Sequence, residues 1–261
     1  MKKLSVLLAL MALFFTDLAL AAGAVATSVT GAVQVQTGTG APRPVRQGDE
    51  FLQGETISTG ANSAAVLKFD DGQVVALTSN SRMTITAYQY NPATESGNVL
   101  LSLVTGGMRA ITGLIGRRSP NQVAYRAASA TIGIRGTDGT IATNGTDVVV
   151  TVTDGGMILR AEGLVLVITA NEAVLFRPGQ PPVRGSIASV VGQLPPALAA
   201  AINQAIALNS AVNAAGPGSP RQGQQGDQGQ QGQQGQSGQQ GGQQGGNGGA
   251  GGGGGGNASG S

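Results

Sequence analysis

Residues 147–176, DVVVTVTDGGMILRAEGLVLVITANEAVLF, consist of short apolar segments broken by glycine and by acidic residues. Valine and other β-branched residues dominate these segments, and several alternate apolar with polar positions as half-buried strands do. The Asp154-Gly155 pair suits a turn position with positive φ, so we expect it to separate two strands. This stretch therefore predicts β-structure without an intervening helix.

The same pattern runs through most of the chain. Between Val25 and about Arg184, twelve strand candidates follow one another with no helical pattern between them, which predicts a single all-β domain over residues 24–184. A core of small aliphatic side chains with few aromatics favours a β-roll or solenoid-like stack of short strands, with a β-sandwich or jelly roll as the alternative. Further turns are predicted at Asp71-Gly72, Gly106-Gly107, Asp138-Gly139 and Asn144-Gly145.

The N-terminal residues predict export. Two lysines precede a mostly apolar run from Leu4 to Phe15, and small residues suitable for cleavage follow near Ala22. This is the pattern of a secretory signal peptide, here residues 1–22. Asp17 interrupts the run, which falls short of the roughly 20 residues needed to cross a bilayer. We therefore expect a periplasmic or secreted protein with no membrane span after signal cleavage.

The C-terminal part changes composition twice. Residues 185–213 predict a linker and one amphipathic helix, over about 195–210, that caps the β-domain. Residues 214–261 are almost entirely Gly, Gln, Asn and Ser, which predicts a disordered tail. Glycine recurs at every third position over 223–238, as in collagen, but these triplets lack proline. We therefore expect a flexible spacer, whose glutamines leave self-association open.

Composition restricts the chemistry available to this chain. It has 15 basic and 13 acidic residues, a formal net charge of +2, and neither cysteine nor histidine. These absences exclude Ser-His-Asp and Cys-His catalysis, histidine-based zinc sites and disulfides. The basic residues are not clustered with aromatics, so no nucleic-acid partner is expected. We predict no catalytic, cofactor-binding or metal-binding residues, and no cofactor.

One segment, TIGIRGTDGT at 131–140, has the glycine content of a functional loop. Its spacing does not match a phosphate-binding loop, and strand patterns flank it on both sides. We interpret it as a turn whose glycines allow tight bends, whose Thr and Asp cap the turn, and whose Arg135 bonds buried acceptors. Loss of Arg135 would then cost about 1–3 kcal/mol, and contact with a partner is the alternative role. The residues of this predicted signature turn are Gly133, Arg135, Gly136, Thr137 and Asp138.

A second predicted turn, Asp71-Gly72, belongs to Asp70-Asp71-Gly72, which resembles a fragment of a calcium loop with two carboxylate ligands. Calcium takes six to eight oxygen ligands, and the sequence offers only Asp49 or Asn80 as a third ligand, so a hairpin turn is favoured. Ser63 and Lys68 could form a nucleophile–base pair in principle. Five residues apart on one strand, however, they point to opposite faces.

Several segments together resemble the FecR domain family. Residues 48–85 resemble the first half of that domain, 103–110 its next strand pair, 130–138 its most recognisable element, and 148–161 its last hairpin. The matching positions are Gly48, Asp49, Gly54, Thr59, Gly60, Asp71, Gly72, Leu77, Asn80, Ser81, Leu103, Gly106, Gly107, Met108, Ala130, Gly133, Arg135, Gly136 and Thr137. These segments follow one another in the family's order over roughly residues 24–178.

The resemblance implies an extracytoplasmic all-β domain. The family is best known from membrane-anchored regulators that relay a signal from an outer-membrane iron–chelate receptor to a cytoplasmic sigma factor. This sequence departs from that architecture through its predicted cleavable signal, its lack of a predicted sigma-binding segment and mid-chain membrane helix, and its Gly/Gln tail. Gly139 also stands where a larger residue is usual. The resemblance therefore carries over a fold and a binding role.

We expect a non-enzymatic binding or scaffolding module of the bacterial cell envelope, with a regulatory or signal-sensing role as one form of it. Its partner would be an envelope protein or a second copy, joined through exposed strand edges. One alternative is a periplasmic glycan- or peptidoglycan-binding module, for which Tyr88 and Tyr90 are the available aromatics. An enzyme without His or Cys is the second alternative.

Overall fold

The computed structural model describes residues 23–216, all within one compact unit. Strands hold 54% of these residues and helices 16%, which confirms the predicted all-β class. The predicted signal peptide at 1–22 lies outside the described residues, as does the predicted tail beyond residue 216, including its glycine repeat.

Fifteen strands and four short α-helices form the described part of the chain. The strands are β1 (Ala24–Thr30), β2 (Val33–Thr37), β3 (Arg43–Pro44), β4 (Glu50–Phe51), β5 (Glu55–Thr59), β6 (Ala64–Phe69), β7 (Val74–Leu77), β8 (Arg82–Asn91), β9 (Ser96–Ile111), β10 (Val123–Ala127), β11 (Ala130–Thr143), β12 (Val148–Ala161), β13 (Leu164–Thr169), β14 (Glu172–Phe176) and β15 (Val183–Ser186). The helices are α1 (Leu114–Arg118), α2 (Ile187–Val191), α3 (Pro196–Ala207) and α4 (Asn209–Ala215), and a 3-10 turn covers Pro120–Gln122. The twelve strand candidates predicted from the sequence do not include β3, β4, β5 or β15.

All fifteen strands join in one mixed sheet that folds over on itself into two layers. The first layer has the order β3-β2-β5-β8-β9-β10-β11-β12-β13. The second has the order β4-β1-β6-β7-β9-β11-β12-β14-β15. The long strands β9, β11 and β12 therefore belong to both layers, and each changes its neighbours partway along its length.

The two layers enclose one aliphatic core. Its buried members come from both layers, among them Ile57, Leu101 and Ile132 from the first and Leu67, Ile141 and Val150 from the second. Because three strands run through both layers, the arrangement is closer to the predicted roll than to a sandwich of two separate sheets.

Glycines allow the three long strands to pass between the layers. Gly106 in β9, Gly136 in β11 and Gly155 in β12 have φ angles of +86°, +57° and +75°. Other residues occupy this left-handed region at a cost of roughly 1–2 kcal/mol. Each glycine thus marks the place where its strand bends from the first layer into the second, or back.

Three of the predicted turns are wrong for this reason, although the positive φ expected at Gly106 and Gly155 is confirmed. Gly106-Gly107, Asp138-Gly139 and Asp154-Gly155 all lie inside strands, which bend or shift register and then continue. Pairing with neighbours on both sides of each irregularity keeps the chain extended. The predicted Asn144-Gly145 turn is confirmed: it joins β11 to β12, with Gly145 at φ +98°.

Three helices, where the sequence predicts one, cover the outer face of the second layer. Val190 of α2 and Ile202 of α3 pack in one cluster with Val149 of β12, and Val212 of α4 packs with Val74 of β7. The sheet supplies the apolar surface that such short helices need, since isolated helices of this length are unstable in water. The predicted tail boundary at residue 214 falls inside α4.

Candidate functional site

The TIGIRGTDGT segment lies inside β11, so its interpretation as a turn between strands is wrong. Thr137 is buried at the bend, where its hydroxyl accepts a hydrogen bond from the N–H of Arg135 at 3.1 Å and donates one to the carbonyl of Gly156. Its own N–H donates to the hydroxyl of Thr112 at 2.8 Å. These side-chain bonds replace ladder bonds that the register shift interrupts.

Asp138 forms an ion pair across the sheet. The Nε and a terminal nitrogen of Arg109 lie 2.8 Å and 2.6 Å from its two carboxylate oxygens, and the two side chains are 8% and 19% exposed. Bidentate pairs of this kind are among the stronger hydrogen-bonded contacts. Sequence reasoning missed Arg109, although it lies within residues 103–110, the segment that resembles a strand pair of the FecR domain.

Arg135 is exposed, and the prediction that it bonds buried acceptors is wrong. Its side chain leaves the sheet on the outer face of the first layer, on the side opposite the core. Near the bend, the carbonyl of Thr137 already accepts from the hydroxyl of Thr112 at 3.0 Å. The arginine is therefore not needed to satisfy the interior.

A groove of about 580 Å³ lies on this outer face beside Arg135. Gly133 forms its floor, directly between Ala124 of β10 and Ile158 of β12 in the strand register. Arg160 of β12 lines the groove as well. The predicted signature residues Gly133 and Arg135 are thus brought together at an open surface, whereas Gly136, Thr137 and Asp138 lie at the bend.

The outer face of the first layer is positively charged. Apart from Asp154 at the bend of β12, its strands carry no exposed Asp or Glu within the described residues. The described carboxylates that form ion pairs do so with other arginines, in the pairs Arg43–Asp49, Arg109–Asp138, Arg118–Glu95, Arg177–Asp147 and Arg184–Glu172. The exposed arginines of the outer face are Arg82, Arg126, Arg135 and Arg160. The positive charge of these four arginines is therefore not neutralised by carboxylates, and this face can attract anions.

β13 forms an open edge of the first layer. Among the described strands it pairs only with β12, to which a two-residue turn at Glu162-Gly163 joins it. Val165 and Val167 on its outer side are 61% and 44% exposed. Exposed apolar residues therefore coincide with unpaired backbone.

The Asp71-Gly72 turn joins β6 to β7 and fixes the start of α1. Gly72 has a φ of +80°, and the buried carboxylate of Asp71 accepts hydrogen bonds from the N–H groups of Gln73 at 3.1 Å and Ile115 at 3.3 Å. Burial raises the pKa of the Asp71 carboxyl, and these hydrogen bonds oppose the rise. The surroundings are those of a structural carboxylate at a helix start.

The remaining candidate constellations do not assemble. Nowhere in residues 23–216 do three His, Cys, Asp or Glu side chains come together in a way that could hold a metal ion. The Lys68 ammonium donates to the carbonyl of Gly216 at 3.2 Å, while the Ser63 hydroxyl donates to the carbonyl of Ala61 at 2.9 Å. Tyr88 is buried and Tyr90 half-buried, so the two do not form an exposed aromatic platform for a glycan.

Helices give no sign of a membrane span: within the described residues, none is both long and apolar enough to cross a bilayer.

Comparison with known proteins confirms the resemblance drawn from the sequence. The family model described as FecR protein matches residues 55–157, a range that holds the Asp71-Gly72 turn, the groove floor and the Arg109–Asp138 pair. That family is a regulatory one. No curated protein matches the chain.

Two solved structures, both of a protein provisionally described as an anti-sigma factor from Parabacteroides distasonis, are similar to this chain. Their sequences are 15% and 16% identical to it, and each superposition has a TM-score of 0.41. The match covers 50% of this chain and 59% of the other. The chain thus spans about three fifths of the length of these structures.

Proposed function

We propose that this chain is an exported, non-enzymatic binding module of the bacterial cell envelope with a regulatory or signal-sensing role, and that it acts by binding a protein. The match to the FecR family supports the regulatory role, and the predicted signal peptide supports export. The single observation that supports a protein partner is the open edge of β13.

The exposed side of β13 is apolar and uncharged. Leu164, Val165 and Val167 are 40%, 61% and 44% exposed, and the strand LVLVIT contains neither a charged residue nor proline. Proteins protect exposed edges with such residues because an unprotected edge pairs with other chains. Their absence favours an edge that a partner covers.

The backbone of β13 is ready to accept another strand. In a hairpin with a two-residue turn, the residues flanking the turn exchange both hydrogen bonds, and bonded and unbonded pairs then alternate. The polar backbone groups of Val165 and Val167 therefore point away from β12. Farther along, the N–H of Thr169 points the same way and donates to the Glu172 carboxylate at 2.8 Å, which closes the edge at that end.

The occupant that fits is an extended apolar segment of a protein partner with an acidic residue beside it. Apolar residues would cover Val165 and Val167, and main-chain hydrogen bonds would supply affinity as in other strand-addition complexes. Arg160 lies opposite Val165 on β12 and offers a charge for the acidic residue. The β13 strand of a second copy would cover the apolar residues, but it carries no carboxylate that could pair with Arg160.

The test is photo-crosslinking in the native bacterium from a reactive residue placed at position 165, with and without Val167→Lys. We expect a discrete adduct with another protein that Val167→Lys removes, because a charge on the edge opposes strand pairing. Position 104 is the matched control, since Val104 is also a valine on the outer face and 52% exposed, but lies on the interior strand β9.

An adduct of twice the chain's mass would keep the strand-addition mechanism and make the partner a second copy. Identical adducts from positions 165 and 104, or adducts indifferent to Val167→Lys, would contradict the proposal.

A further inference from the structure

We infer that the groove over Gly133 is a binding site for a small ligand that carries an oxyanion, a phosphate or a carboxylate, on a partly apolar body. The groove adjoins the β13 edge and shares Arg160 with it, but it takes a small ligand and does not depend on which protein the module binds.

Gly133 is not required by the fold. Its φ is not positive, and a Cβ built there would meet only one atom, a terminal guanidinium nitrogen of Arg160, at 3.4 Å. Gly139 in the same segment differs, since a Cβ there would press on the carbonyl of Thr151 at 2.6 Å. Glycine in a strand interior costs roughly 0.5–1 kcal/mol relative to alanine. The missing side chain at 133 therefore keeps space open above the sheet.

Arginine side chains surround that open space. Arg135 is two residues along the same strand and points to the same side, at about 6–7 Å. Arg160 is the diagonal neighbour on β12, at about 7–8 Å, and its guanidinium already lies over Gly133. The guanidinium groups of Arg135 and Arg160 can therefore both contact one anionic group placed over Gly133.

These two arginines have no anionic partner in the described part of the chain, as set out above for the whole outer face. A guanidinium fork matches the geometry of carboxylate and phosphate oxygens, and two forks around one anion give bidentate recognition. Arg126 occupies the corresponding diagonal position on β10 and adds positive potential beside the groove.

The remaining walls define the rest of the ligand. Ile158, Ala124 and Pro120 give an apolar wall, and Asn121 and Thr131 add polar contacts. The volume of about 580 Å³ falls within the range of small-molecule pockets. The groove thus fits a compact ligand with one charged end, more than a long polyanion.

The test is calorimetric titration of the mature chain with phenyl phosphate, benzoate and benzyl alcohol. We expect saturable binding of phenyl phosphate or benzoate that weakens as salt is added, and no binding of neutral benzyl alcohol. The probe that binds more tightly distinguishes a phosphate from a carboxylate as the recognised group. Absence of saturable binding by both anions would overturn the inference.

Three variants locate the site. Arg160→Gln and Arg135→Gln should each weaken binding about 10-fold or more, since charge-assisted bonds are lost. Gly133→Val should abolish binding while the melting temperature stays equal to or above that of the wild type, because a β-branched residue suits a strand. The matched control is Arg82→Gln, which removes the same charge from the same face far from the groove. An equal loss of affinity in Arg82→Gln would overturn the inference, as would full binding by Gly133→Val.

Discussion

Arg135 and Asp138 are three residues apart in β11, and their side chains do different work. Asp138 holds Arg109 in a mostly buried pair, whereas Arg135 stands on the open face. Asp138→Ala should lower the free energy of unfolding by about 3 kcal/mol, the cost of leaving a buried charge unpaired. Arg135→Ala should change it by less than about 0.5 kcal/mol. Urea unfolding of both variants measures the difference, and equal losses would contradict this assignment.

The raised pKa of Asp71 predicts how the stability of the fold depends on pH. Burial raises its pKa in the folded state above the ordinary value of 3.8, so the folded state holds this proton more tightly than the unfolded state. The contribution of this carboxyl to stability is therefore greatest below pH 3.8 and falls as the pH rises through the raised pKa.

Asp71→Asn removes this titration. The difference in melting temperature, variant minus wild type, should become more positive between pH 3 and pH 7, because only the wild type acquires a buried charge. Thermal melts at both pH values measure it, and using the difference cancels the titration of other carboxyls. One of these is Glu172, whose pKa is lowered to about 2 by its hydrogen bonds with Arg184 and Thr169. A difference that stays constant with pH would argue against a raised pKa at Asp71.

The bends in β11 and β12 require glycine for steric reasons as well as for its conformational freedom, whereas an ordinary turn requires only the latter. Gly155 has a φ of +75°, and a Cβ there would collide with the carbonyl oxygen of Gly136 in the neighbouring strand. Gly145 also has positive φ, +98°, but its surroundings are empty. Gly145→Ala should cost about 1–2 kcal/mol for the backbone alone. Gly155→Ala should cost about 1–3 kcal/mol more for the forced approach.

Equilibrium unfolding of these two alanine variants separates the conformational cost from the steric one. Equal destabilisation would mean that the strands move apart freely at the bend.

The same elements show what local sequence can determine. The segments of β6 to β14 were predictable because alternation and β-branched residues report burial directly. The bends were not, since an Asp-Gly pair reports only that positive φ is tolerated. Whether the chain then reverses, as at Gly145, or continues, as at Gly155, depends on strands that pair from elsewhere in the chain.

The candidate site was predictable only in part. The glycines and Arg135 stood out as a motif, but their grouping with Arg160 requires the β11–β12 register. The exposure of Arg135 could not be foreseen, because the bend is satisfied by Thr112, which is distant in sequence. The open edge of β13 could not be predicted from local sequence either, since whether a strand lies at an edge depends on how the whole sheet is arranged.

On the scale of the molecule, the three C-terminal helices are part of the folded unit. They cover apolar side chains on the outer face of the second layer, including Val66, Val74, Ala142, Val149 and Leu175. A chain ending at residue 186 should expose this surface and aggregate, since contiguous apolar patches of this kind are aggregation-prone. A chain ending at residue 216 retains every contact described here and is the control. Sedimentation velocity and thermal melts compare the two, and a monomeric, equally stable chain ending at 186 would contradict this role.

The passage of β9, β11 and β12 through both layers also bears on how the molecule forms. Neither layer can be completed alone, because each needs half of the same three strands. β9 must also wait for its partners β10 and β11, which follow it in the chain. Such a fold is dominated by contacts distant in sequence, which slow the search for the native state. We expect slow, single-step refolding in which both layers consolidate together. During that interval the uncharged β13 segment is open to pairing with other chains.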